Sequence, residues 1–268
     1  MNLFGDRVAA ALARVRAEKP LVHHITNLVV MNDTANVTLH VGASPVMAHA
    51  AEEVAEMTGL AGALVLNPGT LTPELVDAML IAGRQANANG TPVVLDPVGV
   101  GATTLRTRAN TRLLDELQIA VLRGNSAEIG VLSGAGGVVR GVESAEGVND
   151  PRAVAQRLAR ERRTVVAITG QRDVVADGTR VLGVDNGHHW LTTLTGTGCM
   201  ATTVIAAFAA VEPDYLLAAA GALASYGLAA ELAAAQARGP ASFKVAFFDQ
   251  LYQLTPEQVA SGVRIVEL

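Results

Sequence analysis

The chain has 268 residues, 50% of them hydrophobic and 17% charged, with a formal net charge of −5 and a pI near 5.7. That length is enough for a substantial core, and the absence of a basic stripe or Lys/Arg block argues against a nucleic-acid partner. One cysteine, Cys199, excludes an intrachain disulfide, and aromatic residues at 3% imply an aliphatic core.

In chain order, the N-terminal stretch MNLFGDRVAAALARVRAEKP carries charges throughout. It lacks the apolar centre of a signal peptide, so a cytoplasmic protein is expected. Near-continuous apolar runs at 62–67 (GALVLN), 92–97 (PVVLDP), 119–124 (IAVLRG) and 164–169 (TVVAIT) predict strands covered on both faces of a parallel sheet. Between them, 73–89, 108–117 and 151–162 predict helices, the first and last opened by Thr72-Pro73 and Asp150-Pro151. Proline at the first helical position behind a capping side chain is a helix-start signal. The segment 173–185 predicts an antiparallel hairpin turning at Asp177-Gly178. The apolar run 197–211 stops at Glu212-Pro213 and is too short to span a bilayer comfortably. The run 216–237 is long enough, but Ser225, Tyr226, Glu231 and several glycines interrupt it. It reads as a helix buried on nearly all sides, and no membrane partner is expected. The alternation predicts one α/β domain over 1–268, with helices on both faces of a mostly parallel sheet.

Polar residues gather where the predicted strands end. Those ends carry Asn67-Pro68-Gly69-Thr70, Asp96-Pro97-Val98-Gly99, Arg123-Gly124-Asn125 and Thr169-Gly170-Gln171. Ordinary turn chemistry accounts for the glycines. It accounts less well for a carboxylate at Asp96 and a guanidinium at Arg123, and ligands of open α/β sheets bind beyond the carboxyl ends of the strands. Asn125 and Glu128 have the spacing of a helix cap. Beside Asp96, Glu128 also suits Mg²⁺, held directly or through water.

The segment Thr195-Gly196-Thr197-Gly198-Cys199 leads straight into an apolar helical run. Glycines let backbone approach a ligand, and the first amides of a helix are unpaired and favour a phosphoryl group. A thiol beside those amides is expected to titrate below about 8.5 and to take a proton from a substrate hydroxyl. The other reading of Cys199 is a small buried residue in the first turn of a helix.

From here the residues carry a resemblance. The stretch 21-LVHHITNLVVMNDTANVTLHVGASPVMAHA-50 resembles the N-terminal signature of the hydroxyethylthiazole kinase family, the thiamine-salvage branch of the ribokinase-like superfamily. Similar blocks continue at 66-LNPGTL-71, 94-VLDPVGVGAT-103, 122-LRGNSAEI-129, 167-AITG-170, 195-TGTGCM-200 and 240-PASFKVAFFDQLYQL-254. The resemblance implies a three-layer α/β/α ribokinase-like fold with a mostly parallel central sheet. It implies transfer of the ATP γ-phosphoryl group to the primary hydroxyl of 4-methyl-5-(2-hydroxyethyl)thiazole with Mg²⁺, for thiamine synthesis, by a homotrimer whose active sites lie between subunits.

By the same resemblance, Met47, Asn27, Val29 and Gly196 contact the thiazole. Arg123 and Thr169 contact ATP, Asp96 and Glu128 serve Mg²⁺, and Cys199 stands where many relatives on this fold carry an aspartate base. A thioether packs well on a flat ring, although Met47 also reads as ordinary core filling. Arg123 suits bidentate pairing with phosphate oxygens. Three positions depart from the pattern: His24 in the His23-His24 pair where cysteine is expected, Gln171 where glutamate is expected, and Pro68. Adjacent strand residues face opposite ways, so the histidine pair does not read as a metal site. Alternatives on the same fold are a kinase for a hydroxymethylpyrimidine or pyridoxal-like alcohol, a nucleotide-dependent lyase repairing hydrated nicotinamide cofactors, and a non-catalytic sensor.

Overall fold

A computed structural model describes residues 3–136, 138–140, 143–146 and 148–268. Among these residues the centre is a nine-stranded sheet. Its parallel part comprises β1 (Leu21–Ile25), β2 (Ser44–Val46), β3 (Ala63–Leu66), β4 (Val93–Leu95) and β5 (Val121–Asn125). A separate antiparallel ribbon, β6 (Val138–Arg140) with β7 (Glu143–Glu146), precedes β8 (Val165–Thr169), which pairs parallel to β5. The antiparallel strands β9 (Asp173–Ala176), β10 (Val181–Val184) and β11 (Ile265–Glu267) complete the order β11-β10-β9-β8-β5-β4-β3-β1-β2.

Helices cover both faces. On one side α1 (Leu3–Glu18), α2 (Met31–Val41), α8 (Thr197–Ala209), α9 (Tyr215–Ala234), α10 (Pro240–Gln253) and α11 (Pro256–Gly262) pack on Ala63, Val65, Val94, Val121 and Ala167. On the other, α3 (Val54–Leu60), α4 (Pro73–Asn89), α5 (Thr104–Glu116), α6 (Ser126–Leu132) and α7 (Pro151–Arg162) pack on Leu64, Leu66, Leu95, Leu122 and Ile168. Strand residues thus alternate between two cores, as a period of two demands. The expected three-layer arrangement and mostly parallel sheet are present.

Local signals explain the element ends. Thr72 accepts from Leu75 N and Asp150 from Ala153 N, so both proline-led helices begin where predicted. Helix α4 stops at Gly90, whose φ of 72° belongs to the left-handed region. The helix predicted at 108–117 begins four residues earlier, because Thr103 caps it by accepting from Arg106 N. Its polar first turn had hidden that start from apolar periodicity. Helix α9 is long and apolar enough to cross a membrane, but 89% of that window is buried within the fold, so it is a core helix. A Cβ on Gly221 would lie 2.9 Å from Val8, which shows how closely α1 approaches α9. The core is mostly aliphatic as expected, yet its largest fully buried side chains include Phe208, Phe243 and Phe247.

The histidine pair is structural. His23 lies against Thr58 Oγ1 (2.9 Å) and Ala48 O (2.8 Å), while His24 lies on the other face against Thr38 Oγ1 (3.1 Å). Burial pushes His24 down to about 3, so its ring is neutral.

Register places the site. Ile25 stands beside Leu66, Leu66 beside Leu95 and Leu95 beside Leu122, all four in the second core. The next residues, Thr26, Asn67, Asp96 and Arg123, therefore stand side by side and face the opposite layer, where α8 begins.

Candidate active site

Asp96 is the centre of this row and is 1% exposed. Its Oδ2 accepts from Asn67 Nδ2 (3.1 Å) and Thr202 Oγ1 (3.0 Å) and lies 3.6 Å from Arg123 Nη1. Its Oδ1 has no partner. Burial holds the carboxyl above the usual carboxylate range, opposed by the Arg123 charge and by hydrogen bonds from Thr202, Cys199 and Asn67.

Arg123 Nη2 donates to Thr169 Oγ1 (2.5 Å), while its buried Nε is unpartnered. The guanidinium lies against the start of α8, where a Cβ on Gly198 would sit 2.6 Å from Nη1. Only a residue without a side chain lets Arg123 reach the helix amides. Gly196, the residue before α8, has φ 83° and would bring a Cβ within 2.3 Å of Val30. No side chain caps α8, so its first amides remain free for a ligand. The loop itself is pinned by Tyr226 Oη donating to Thr197 O (2.8 Å) and Thr197 Oγ1 donating to Leu191 O (3.0 Å).

Cys199 points to the other side, 3.6 Å from Asn27 Nδ2, and stands beside the Asp96 and Asn67 side chains. Here the expectation from sequence is corrected. Burial, reinforced by the Asp96 charge, pushes the thiol up to about 12. The helix N-terminus had suggested the reverse, but desolvation and a neighbouring carboxylate outweigh partial charges on amides.

Glu128 is 3% exposed and does form the cap: its Oε2 accepts from Asn125 N (2.9 Å), and Asn125 Oδ1 accepts from Ala127 N and Glu128 N. It also reaches the Asp96 loop, where Oε1 accepts from Gly99 N (2.9 Å). Burial and the Asp96 charge push it up to about 7. Both readings of Glu128 are thus compatible. Each oxygen already takes one N–H, so it suits a metal-bound water better than direct ligation. The orphaned, buried Asp96 Oδ1 suits direct ligation. No cluster of three or more His, Cys, Asp or Glu exists among the described residues. This sparse set fits Mg²⁺, which uses one or two carboxylates with waters and phosphate oxygens, and not a metal needing a full protein cage.

A cavity of ≈ 810 Å³ opens beside this cluster, lined by Arg123, Thr169, Asp173, His188, Gly198 and Tyr226. Gln171 also lines it. Asn27 belongs to the cluster: its Oδ1 accepts from Val29 N (3.1 Å) and Val30 N (3.3 Å), and its Nδ2 donates to Asn67 Oδ1 (3.0 Å). Val29 itself is 66% exposed and Met47 is partly exposed at the end of β2. Val29 joins the cluster through its backbone N–H alone, its side chain being exposed.

Sequence reasoning passed over Asn67, Thr202 and Asp173 as site residues. A signal existed for Thr202, a polar residue one turn after Gly198 in an apolar helix. Asn67 was visible at a strand end, but nothing local indicated where its amide would point. Pro68 contributes its carbonyl to Arg106 Nη1 (3.5 Å), and Arg106 Nη2 donates to Gly69 O (2.8 Å). The departure at Pro68 is therefore accommodated in a loop held from α5.

A profile of the hydroxyethylthiazole kinase family matches residues 12–257, nearly the whole chain. The chain belongs to the hydroxyethylthiazole kinase family. Similar curated proteins include the hydroxyethylthiazole kinase of Desulforudis audaxviator, 72% identical over 98% of this chain and 96% of that one. The hydroxyethylthiazole kinase structure from Pyrococcus horikoshii superposes with a TM-score of 0.90 at 44% identity, covering 98% of this chain and 99% of that one. A ribokinase-like superfamily protein of Enterococcus faecalis, with TM-score 0.64 and 14% identity over 88% of this chain and 87% of that one, shares the fold alone. The chain is an enzyme with the hydroxyethylthiazole kinase activity of that family, in thiamine synthesis.

Proposed function

We propose that the whole chain works as one domain that transfers the ATP γ-phosphoryl group to the primary hydroxyl of 4-methyl-5-(2-hydroxyethyl)thiazole, supplying thiamine synthesis by salvage. The observation that carries this reading is the meeting of Asp96, Arg123 and the uncapped start of α8, with Asp96 Oδ2 and Arg123 Nη1 3.6 Å apart beside a nucleotide-sized cavity. Phosphoryl transfer needs positioning and charge neutralisation more than covalent chemistry. Arg123 and the amides at 196–198 hold the phosphates, and Thr169 fixes the guanidinium. The nucleoside occupies the rest of the cavity, towards His188. Asp96 Oδ1 directly, and Glu128 through water, would hold Mg²⁺, which when bound neutralises charge on the phosphates.

The acceptor enters on the open side, where Met47, Val29, Asn27 and Gly196 form its contacts. Cys199 holds its proton before reaction, given the push up to about 12. The thiol therefore acts as a relay. As the hydroxyl oxygen bonds to phosphorus and the bond to the ADP oxygen breaks, the hydroxyl proton passes to Sγ and the thiol proton passes to an oxygen of the transferred phosphoryl group. Late proton loss suits a loose transition state. The exposure of Leu28 (74%) and Val29 (66%) supports a homotrimer in which a neighbouring copy closes the acceptor side. The compartment is the cytoplasm, which supplies ATP and keeps Cys199 reduced.

The test is ADP release with Mg²⁺ and hydroxyethylthiazole, run beside the pyrimidine alcohol. Turnover of the thiazole alcohol is expected. Turnover of the pyrimidine alcohol alone, loss of hydration from a nicotinamide substrate, or ligand binding without ADP release would each overturn the assignment.

A further inference from the structure

Asn67 is buried, 1% exposed, at the end of β3, and its amide can be oriented without ambiguity. Gly69 N lies 3.1 Å from one terminal atom of the amide, and a backbone N–H only donates, so that atom is the oxygen. Asn27 Nδ2 donates to the same oxygen at 3.0 Å, while Asn27 Oδ1 is held in turn by Val29 N and Val30 N. The Asn67 NH₂ group is therefore turned towards Asp96 Oδ2, at 3.1 Å, and also serves the Cys199 sulfur. Thr202 Oγ1 brings a second donor to Asp96 Oδ2 from α8, and Arg123 stands behind. One oxygen of Asp96 is saturated and the other, Oδ1, is left bare inside the protein.

We infer that Asn67, supported by Thr202, is a positioning residue that fixes the Asp96 carboxylate by Oδ2 and presents Oδ1 to the divalent cation. The inference rests on the proposed kinase reading for its assay, and on the hydrogen-bond geometry alone for its direction. Without the Asn67 donor, the carboxylate rotates between Thr202 and Arg123 and no longer offers a single oxygen. Partners that orient a metal ligand in this way typically matter by about 10–100-fold in metal affinity or activity.

The test uses two replacements at one position. Asn67→Asp keeps an oxygen to accept from Gly69 and Asn27, so the loop is retained, but it removes the donor to Asp96. Asn67→Ala removes everything. Positioning predicts that both lower kcat by about 10–100-fold, with the KM for ATP much less affected. A second readout needs no turnover. Paramagnetic resonance of Mn²⁺ in the presence of ADP is expected to show about tenfold weaker binding in Asn67→Ala. Thermal unfolding verifies the fold of each variant. A folded Asn67→Asp with parental kcat, against an impaired Asn67→Ala, would mean that Asn67 only shapes the loop and would overturn the inference. If Asn67→Asp fails to fold, Thr202→Val removes the other donor to the same oxygen. Unchanged kcat and Mn²⁺ binding in that variant overturn the inference equally. Failure of the parent enzyme to release ADP with the thiazole alcohol would instead sink the kinase reading, and the Mn²⁺ arm would still decide the role of Asn67.

Discussion

Gly198→Ala separates stability from activity at one position. Gly198 lies in the first turn of α8 with nothing unusual in its backbone. Alanine in a helix is favoured over glycine by up to about 1 kcal/mol. The new methyl, however, would lie 2.6 Å from Arg123 Nη1 and 2.9 Å from Nη2, closer than real contacts permit. The guanidinium is the end of a flexible side chain, so it moves into the adjoining cavity and the backbone stays. It loses Thr169 Oγ1 and its alignment with the α8 amides. Two charge-assisted hydrogen bonds to a phosphate, at the low end of ~1.5 kcal/mol each, amount to ~3 kcal/mol. At 1.36 kcal/mol per decade this is about a 10²-fold loss in kcat/KM for ATP. Unfolding temperature is expected to shift by only a few degrees, since the helix gain offsets the lost Thr169 contact. The assay is coupled ADP release beside a thermal melt. A variant with kcat/KM for ATP within about threefold of the parent would refute the placement of phosphate between Arg123 and α8.

Further outcomes follow from the same geometry. Because burial and Asp96 push the Cys199 thiol up to about 12, iodoacetamide should label the native protein far more slowly than the urea-unfolded chain, and equal rates would refute the raised thiol. Burial pushes Asp173 up to about 6, against a usual value of 3.8. Its contribution to stability is therefore full below pH 3.8 and is lost as pH rises through about 6. Asp173→Asn, which still accepts from Gly170 N, should remove that decline, seen as unfolding free energy against pH; parallel profiles for parent and variant would contradict it. Val29→Asp places a charge on the exposed 66% of that side chain. If neighbouring copies close the acceptor side, light scattering should show a smaller assembly and ADP release should fall, whereas an unchanged assembly would exclude Val29 from the interface.

Much of this was legible in the sequence because its causes are local. Strands at 63–66, 93–95, 121–125 and 165–169 follow from continuous apolar runs, and α4 and α7 from a capping side chain followed by proline. The Asn125–Glu128 cap needed only its own four residues. The long blocks shared with the hydroxyethylthiazole kinase family pointed to the same strand ends that the register then placed in one row. The first strand, the short β2 and the N-terminal helix were less evident, since the surrounding sequence is mixed in polarity and their pairing partners lie in other elements.

The sequence by itself determined the layered α/β architecture, the gathering of polar residues at the strand ends and the family of the chain. These depend on periodicity, turn residues and motifs that act within a few positions. Only the tertiary structure decided the state of each group there. Thr202 meets Asp96 across 106 positions and Asn27 meets Cys199 across 172. The same packing pushed the Cys199 thiol up, pushed the His24 imidazole down and turned the Asn67 amide towards Asp96. Desolvation and Coulomb interaction depend on distance in space, and no spacing along the chain encodes them before the sheet and α8 have come together.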